Sequence, residues 1–350
     1  MSRDGLLDPL DPFLAAEPVV ALATLVSATG SSSKKIGARM VVGQSGRLIG
    51  GVTIGGCVDA QVIEAADALV ATGGRRVLSI SLDDDEAWEI GLTCGGTLEV
   101  LLERVEPRAT GDVVAAAHRA ARDALDREEA VTIVSPIEGD SRALVVTETG
   151  ARHGSLGAAL DADATAIAED VLRTASRAET VAGQRLFFDR HAPPTTLVIV
   201  GAGQIAMSLT SMARELEMRT VIVDGRERYA TAERFPHADE IRVGMPSEIV
   251  AAIRPGKRVA IVLVAHDYKY ELPILRQLLR APVGYIGMLG SKKRGVAVRD
   301  LLRDEGFTDP ELARIHTPIG LDLGGKSSAE VALSILAQVV AVRSGKGARV

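Results

Sequence analysis

Two cysteines are the residues of this chain best suited to do chemistry, and both lie among glycines. Cys57 ends the run Gly55-Gly56-Cys57, and Cys94 opens the run Cys94-Gly95-Gly96. A glycine beside a thiol leaves the sulfur open to a bulky ligand or to a second sulfur. Val58, Val62, Ala65, Ala66 and Leu69 follow at helical spacing, so Cys57 falls where a helix begins. There the backbone N–H groups and the helix dipole favour the thiolate, the form that attacks and that binds soft metals. The alternative for each is a small buried hydrophobe, a common fate of free cysteine. Their glycine-rich loops favour the functional reading. They do not form a C-x-x-C pair, so a zinc site built on them would need distant partners.

Other segments could bind phosphate. The loop Gly30-Ser31-Ser32-Ser33-Lys34-Lys35-Ile36-Gly37-Ala38-Arg39 presents hydroxyls and cations, with Ser32, Lys34 and Arg39 as candidates; a solvated turn has the same composition. In the second half, Gly201-Ala202-Gly203-Gln204-Ile205-Ala206 reads G-x-G-x-x-A between an apolar strand and a helix. Gly201 makes the tight turn, Gly203 lets the backbone approach a pyrophosphate, and the start of the helix at Gln204 faces it. Asp224 closes the next strand, where an acid can accept from a ribose 2′-OH. Arg226 just beyond leaves NAD against NADP open. His266 follows the strand RVAIVLVA, and Gly290 and Ser291 follow VGYI in GMLGSKKR; both lie at the ligand-binding edge of a parallel sheet. Lys292 and Arg294 suit an anion there, or simply solvate a helix.

Gly320 to Ser327, in GLDLGGKSS, also satisfies the phosphate-loop pattern G-x-x-x-x-G-K-[ST]. Its context argues against it. The preceding ELARIHTPI is too polar for a central strand, and only one helix, about Ser327 to Arg343, follows. The segment is read as a turn in which Ser327 or Ser328 caps that helix with Glu330 in its first turn.

The elements that must position these residues fall into two kinds. Up to about residue 190 strands and helices are mixed: VVALATLVSATG, a hairpin turning at Gln44 to Gly46, the helix after Cys57, strands RRVLSISLD and TLEVLLERVEP, a helix near Gly111–Arg127, strands VTIVSP and RALVVTE, and a helix near Ala162–Ala178. HAPPTT breaks the pattern. From about residue 195 to 345 strands and helices alternate, which predicts a parallel sheet covered on both faces. The fold class expected is therefore α/β, with domains at 1–190 and 195–345. The 350 residues suit two domains. A net charge of −6 argues against a nucleic-acid partner. No apolar run is long enough to span a membrane. With no export leader visible, a cytoplasmic setting with reduced thiols is expected.

Taken together, GSSSKKIGARMVV, GGVTIGGCVDAQVIEAA, GLTCGGTLEVLLE, VIVGAGQIA, VDGRERYA, AHDYKYELPILRQLL, YIGMLGSKKR and ARIHTPIGLDLGGKSSAEVALSILA resemble the XdhC/CoxI family, over roughly Val19 to Gly345. The resemblance implies a maturation factor that binds the molybdenum cofactor, as molybdopterin or its dinucleotide form. It would protect the cofactor while a terminal sulfur is installed from a donor such as a cysteine desulfurase, then deliver it to an apo molybdenum hydroxylase of the xanthine or carbon monoxide dehydrogenase type. It casts Cys57 and Cys94 as thiols near molybdenum, a soft partner. Where family members often have Pro-Arg, this chain has Ser33-Lys34. The competing class is an NAD(P)-dependent oxidoreductase with His266 or a cysteine in proton transfer; a hydride-transfer enzyme gives no reason for the Gly-flanked thiols. A homodimer is expected from the prevalence of two-fold assemblies.

Overall fold

The computed structural model describes residues 7, 11–29, 36–52, 57–82, 96–265 and 268–345, without the side chains of Cys57 and Tyr268. The chain divides into two units, Met1–Pro193 and Pro194–Val350.

The first unit contains two five-stranded antiparallel sheets. Strands β1 (Val20–Ala28), β2 (Arg39–Gly43), β3 (Leu48–Gly50), β4 (Arg75–Leu82) and β5 (Gly96–Val105) lie in the order β3-β2-β1-β5-β4. Helix α1 (Pro12–Ala16) precedes them, and α2 (Cys57–Thr72) lies between β3 and β4 in sequence. Alternation along β1 sends Ala21, Ala23 and Leu25 to Val62, Ala66 and Leu69 of α2. Val20 and Leu22 face the other way, towards Leu7, Phe13 and Leu14. Burial on both faces explains why β1 reads as a continuous apolar run.

The second sheet comprises β6 (Val131–Pro136), β7 (Ala143–Thr147), β8 (Arg152–Ser155), β9 (Arg177–Val181) and β10 (Gln184–His191), ordered β8-β7-β6-β10-β9. Helices α3 (Val113–Asp126) and α4 (Ala158–Val171) cover opposite faces. Ala117, Ala121 and Ala124 of α3 pack on Ile133 and Val145, while Leu160, Ala164 and Ala168 of α4 pack on Val134 and Leu144. The helix expected near Ala162–Ala178 begins earlier and stops at Val171, because Arg177 and Ala178 leave it to pair with Phe188 and Phe187 in β9. Tertiary pairing overrides the local helical spacing there.

The second unit is a six-stranded parallel sheet: β11 (Thr196–Val200), β12 (Arg219–Asp224), β13 (Glu240–Val243), β14 (Val259–Leu263), β15 (Tyr285–Met288) and β16 (Ile315–His316), in the order β13-β12-β11-β14-β15-β16. Helices α5 (Gln204–Glu215), α6 (Pro246–Ala252), α7 (Tyr268–Leu278), α8 (Lys292–Asp304), α9 (Asp309–Leu312) and α10 (Ser328–Arg343) complete it. Leu197 and Ile199 of β11 face α5 and α10, through Leu209, Ile335 and Val339. Val198 and Val200 face α7 and α8, through Ile274, Leu278 and Val298. This is a mixed α/β chain ending in a Rossmann-type unit. The strand order reverses at β11 and β14, which opens a crevice beyond their carboxyl ends.

Candidate functional site in the Rossmann crevice

The crevice starts from the Gly-rich turn. Gly201 has φ +113°, and a Cβ built on it would lie 2.8 Å from the Ala265 backbone nitrogen. Both facts require glycine. Gly203 is the N-cap of α5 and supplies no side-chain cap, so the N–H groups of the first turn, beginning at Gln204, have no side-chain acceptor. Ala206 is fully buried, as the small third position of the pattern requires.

Asp224 ends β12 and is 5% exposed. The Ala202 N–H donates to its Oδ2 at 2.7 Å, and Arg226 Nη2 donates to the same oxygen at 2.8 Å. Oδ1 accepts from the Arg226 backbone N–H and from Arg226 Nε, each at 2.9 Å. Burial alone would raise this carboxyl; the Arg226 guanidinium and the Ala202 N–H outweigh it and hold the pKa below 3.8. The Arg226 guanidinium lies 4.0 Å above the Tyr229 ring centre. Gly201, Asp224, Arg226, Ala265 and Tyr270 line a cleft of about 150 Å³. The expectation of an open acid awaiting a ribose is therefore modified: Asp224 braces the turn and its neighbour. Tyr270 entered no sequence argument. It stands in the HDYKYE run that follows β14, but its direction is set by α7.

Around Gly290 and Ser291 the chain also closes on itself. The Ser291 Oγ accepts from the Arg294 N–H at 3.2 Å and caps α8. The Arg294 side chain folds back over Gly290, where a Cβ would lie 3.0 Å from its Cδ. Its guanidinium pairs with Glu271, which is fully buried on α7. The Arg294 charge is thus engaged inside the unit, whereas Lys292 and Lys293 remain exposed.

GLDLGGKSS folds as a cap. The Ser327 Oγ accepts from the Glu330 N–H at 3.2 Å, and Glu330 Oε2 accepts from the N–H groups of Ser327 and Lys326 at 2.9 and 3.1 Å. A carboxylate of this chain thus takes the N–H groups that a phosphate would need. Gln338 Oε1 accepts from the Gly320 N–H at 2.9 Å and from the Tyr285 hydroxyl at 2.6 Å, clamping the loop to α10.

In the first unit, Arg39 is placed differently from the phosphate-facing cation expected. It is buried on β2 and forms an ion pair with Asp189 of β10; His191 Nε2 lies 3.4 Å from Nη1. The pair spans the two sheets. Arg75 likewise pairs with the buried Glu103 at 2.6 Å. Cys57 is the first residue of α2, at the helix start expected, and Gly96 opens β5 opposite Leu82. Ser32, Lys34, Gly55, Gly56, Cys94, Gly95 and His266 lie outside the described residues. Among the described residues, no group of three or more His, Cys, Asp and Glu could hold a metal ion. No described helix is long and apolar enough to cross a membrane.

Known proteins resemble this arrangement. Residues 13–81 match the sequence profile of the XdhC and CoxI family, and residues 197–339 match that of the XdhC Rossmann domain. The chain is 30% identical, over 95% of its length and 96% of the relative's, to a Bacillus subtilis protein named as a probable xanthine dehydrogenase component. It is 26% identical, over 92% of its length and 83% of the relative's, to the molybdenum cofactor insertion chaperone PaoD of Escherichia coli. A crystal structure of a xanthine dehydrogenase from Bacillus halodurans shares the fold, with a TM-score of 0.78 at 24% identity over 95% of this chain and 94% of that one. With paired strands, a braced Gly-rich turn and end-to-end similarity in agreement, the chain belongs to the XdhC and CoxI family.

Proposed function

We propose that this protein is a maturation factor that binds the molybdenum cofactor, shields it while its terminal sulfur is installed, and hands it to an apo molybdenum hydroxylase of the xanthine or carbon monoxide dehydrogenase type. The observation that carries this reading is the near full-length similarity to a relative named as a cofactor insertion chaperone. The cofactor supplies a molybdenum centre held by a pterin dithiolene, with phosphate at its other end.

The residues of the crevice fit that phosphate end. A turn that only glycine can make brings backbone close, and an uncapped α5 directs N–H groups outward. Arg226 and Tyr270 line the same cleft. Gly203, Gln204, Gly290 and Ser291 belong to the turns at this edge of the sheet. In the first unit, the reading gives Cys57 and Cys94 the roles of molybdenum-side or sulfur-handling thiols, with Gly55, Gly56, Gly95 and Gly96 keeping them accessible. A thiol at the start of α2 gains thiolate character from the helix N-terminus. Ser32 and Lys34 remain candidate phosphate contacts. A sulfur donor of the cysteine desulfurase class, a cytoplasmic location and a two-fold homodimer complete the proposal. A role as an NAD(P)-dependent oxidoreductase gains nothing from the crevice, since the acid that would hold a ribose is already bonded four times by its own chain.

The test is anaerobic binding. Full-length protein is mixed with molybdenum cofactor and, separately, with NAD⁺ and NADPH, and then Cys57→Ala and Cys94→Ala are compared. Retention of the cofactor, weakened in either variant, is expected. Binding of nicotinamide nucleotides with no cofactor retained would refute the proposal.

A further inference from the structure

We infer that the Rossmann crevice takes a phosphate monoester and turns away a ribose diol, so that the cofactor form it holds is the pterin monophosphate and not a dinucleotide. The inference rests on the maturation reading above and narrows its ligand.

A carboxylate offers about four acceptor positions, two on each oxygen. At Asp224 all four are filled: Arg226 N–H and Nε on Oδ1, and Ala202 N–H and Arg226 Nη2 on Oδ2. A ribose diol brings two O–H donors that need an acceptor at this place, and none is left on the acid. Making room would require Arg226 to leave. That would strand a carboxylate that is 5% exposed, and an unpaired buried charge is strongly unfavourable. The guanidinium is also held flat on the Tyr229 ring. The pair is a built feature of the crevice wall.

What remains facing the cleft is a set of donors. Arg226 uses Nε and Nη2 on Asp224, and its side chain is 55% exposed, so the outer edge of the guanidinium is available. The Tyr270 hydroxyl has no hydrogen-bond partner among the described residues, and it lies 3.8 Å from where a Gly225 Cβ would be. The α5 N-terminus adds N–H groups without a side-chain cap. Donors of this kind, with one cation among them, match the oxygens of a phosphate. Size points the same way. A cleft of about 150 Å³ is well under the roughly 300 Å³ at which pockets begin to enclose drug-sized ligands, so it suits a phosphate ester and leaves no room for an additional nucleoside.

The experiment uses the full-length protein under anaerobic conditions, with two probes: molybdopterin cofactor in its monophosphate form and in its cytidine dinucleotide form. Bound pterin is read by fluorescence after oxidation. The monophosphate is expected to bind at least ten times more tightly. Inorganic phosphate should displace it. Arg226→Ala should abolish the preference, and Arg226→Lys should retain part of it. Tyr270→Phe should weaken the monophosphate a few-fold, and it carries the test, with Arg226→Lys, if thermal melting shows Arg226→Ala unfolded. Equal affinity for the two forms, or a preference untouched in Arg226→Lys and Tyr270→Phe with phosphate failing to compete, overturns this inference and leaves the maturation reading standing. Binding of neither form overturns both.

Discussion

Arg39 and Asp189, 150 positions apart in the chain, form a buried ion pair that fastens the two sheets of the first unit to each other. Ser176 Oγ donates to Asp189 Oδ1 at 3.1 Å, and His191 Nε2 lies 3.2 Å from Oδ2, so the carboxylate is bonded on several sides. Removing one member leaves the other buried without its counter-charge, which typically costs about 3–5 kcal/mol. Arg39→Ala and Asp189→Ala are each expected to lose stability on that scale in urea unfolding. Arg39→Met with Asp189→Leu should recover most of it. Single variants that unfold like the parent would disprove the strut.

The same cluster sets an acid limit. His118 on α3 is buried, and its Nδ1 accepts from the Leu7 N–H at 3.1 Å. Burial foremost, then the charges of Arg39 and His191, push its pKa well below 6.5, with the nearby Asp189 opposing. The native imidazole is therefore neutral, while the unfolded one gains a proton as pH falls through about 6.5. Stability should decline below that pH by about 1.4 kcal/mol per unit for this one group. His118→Gln should flatten the slope between pH 6.5 and 5; an unchanged slope would assign it elsewhere.

Asp189 acts in a lower window. Burial would raise its carboxyl, but the Arg39 charge first and then His191 hold it well below the ordinary 3.8. Its stabilisation is complete above the unfolded value and drains away as pH falls from about 3.8. Unfolding monitored from pH 5 down to pH 2 should show a second loss that Asp189→Asn lacks.

Gly201→Ala places a Cβ against the Ala265 backbone at a positive φ. Strain of this kind costs about 1–3 kcal/mol. A lower melting temperature and weaker cofactor retention are expected together, and a variant indistinguishable from the parent in both would remove the turn from the site.

For the phosphate-loop look-alike, Ser327→Ala should lower stability by about 1 kcal/mol through loss of the cap. Lys326→Ala, exposed and bonded only through its backbone N–H, should change neither stability nor cofactor binding. ATP-dependent activity lost in Lys326→Ala would revive a nucleotide-hydrolase reading.

Much of the second unit could be read from the sequence. TLVIVGAGQIA carries strand, turn and helix in one continuous segment, and local spacing decides all three. The capping box at Ser327 and Glu330 was equally local. What sequence could not supply was the direction of charges. Arg39 stands in a basic loop by composition, yet its partner lies in β10, and no local pattern announces that pairing. Asp224 occupies the expected position at the end of β12, but its role depends on where Arg226 turns. Strand β9 was hidden because Arg177 and Ala178 continue a helical spacing that only their pairing with Phe187 and Phe188 breaks.

The bond from Ala202 to Asp224 also bears on kinetics. It fixes the Gly-rich turn through the chain's own atoms, and Gly201 is wedged against Ala265 at the same time. The turn thus has its final shape before any ligand arrives, and little conformational entropy is lost there on binding. Encounter at this edge of the sheet should follow a single exponential whose rate rises linearly with ligand concentration, without the plateau that a slow loop rearrangement imposes.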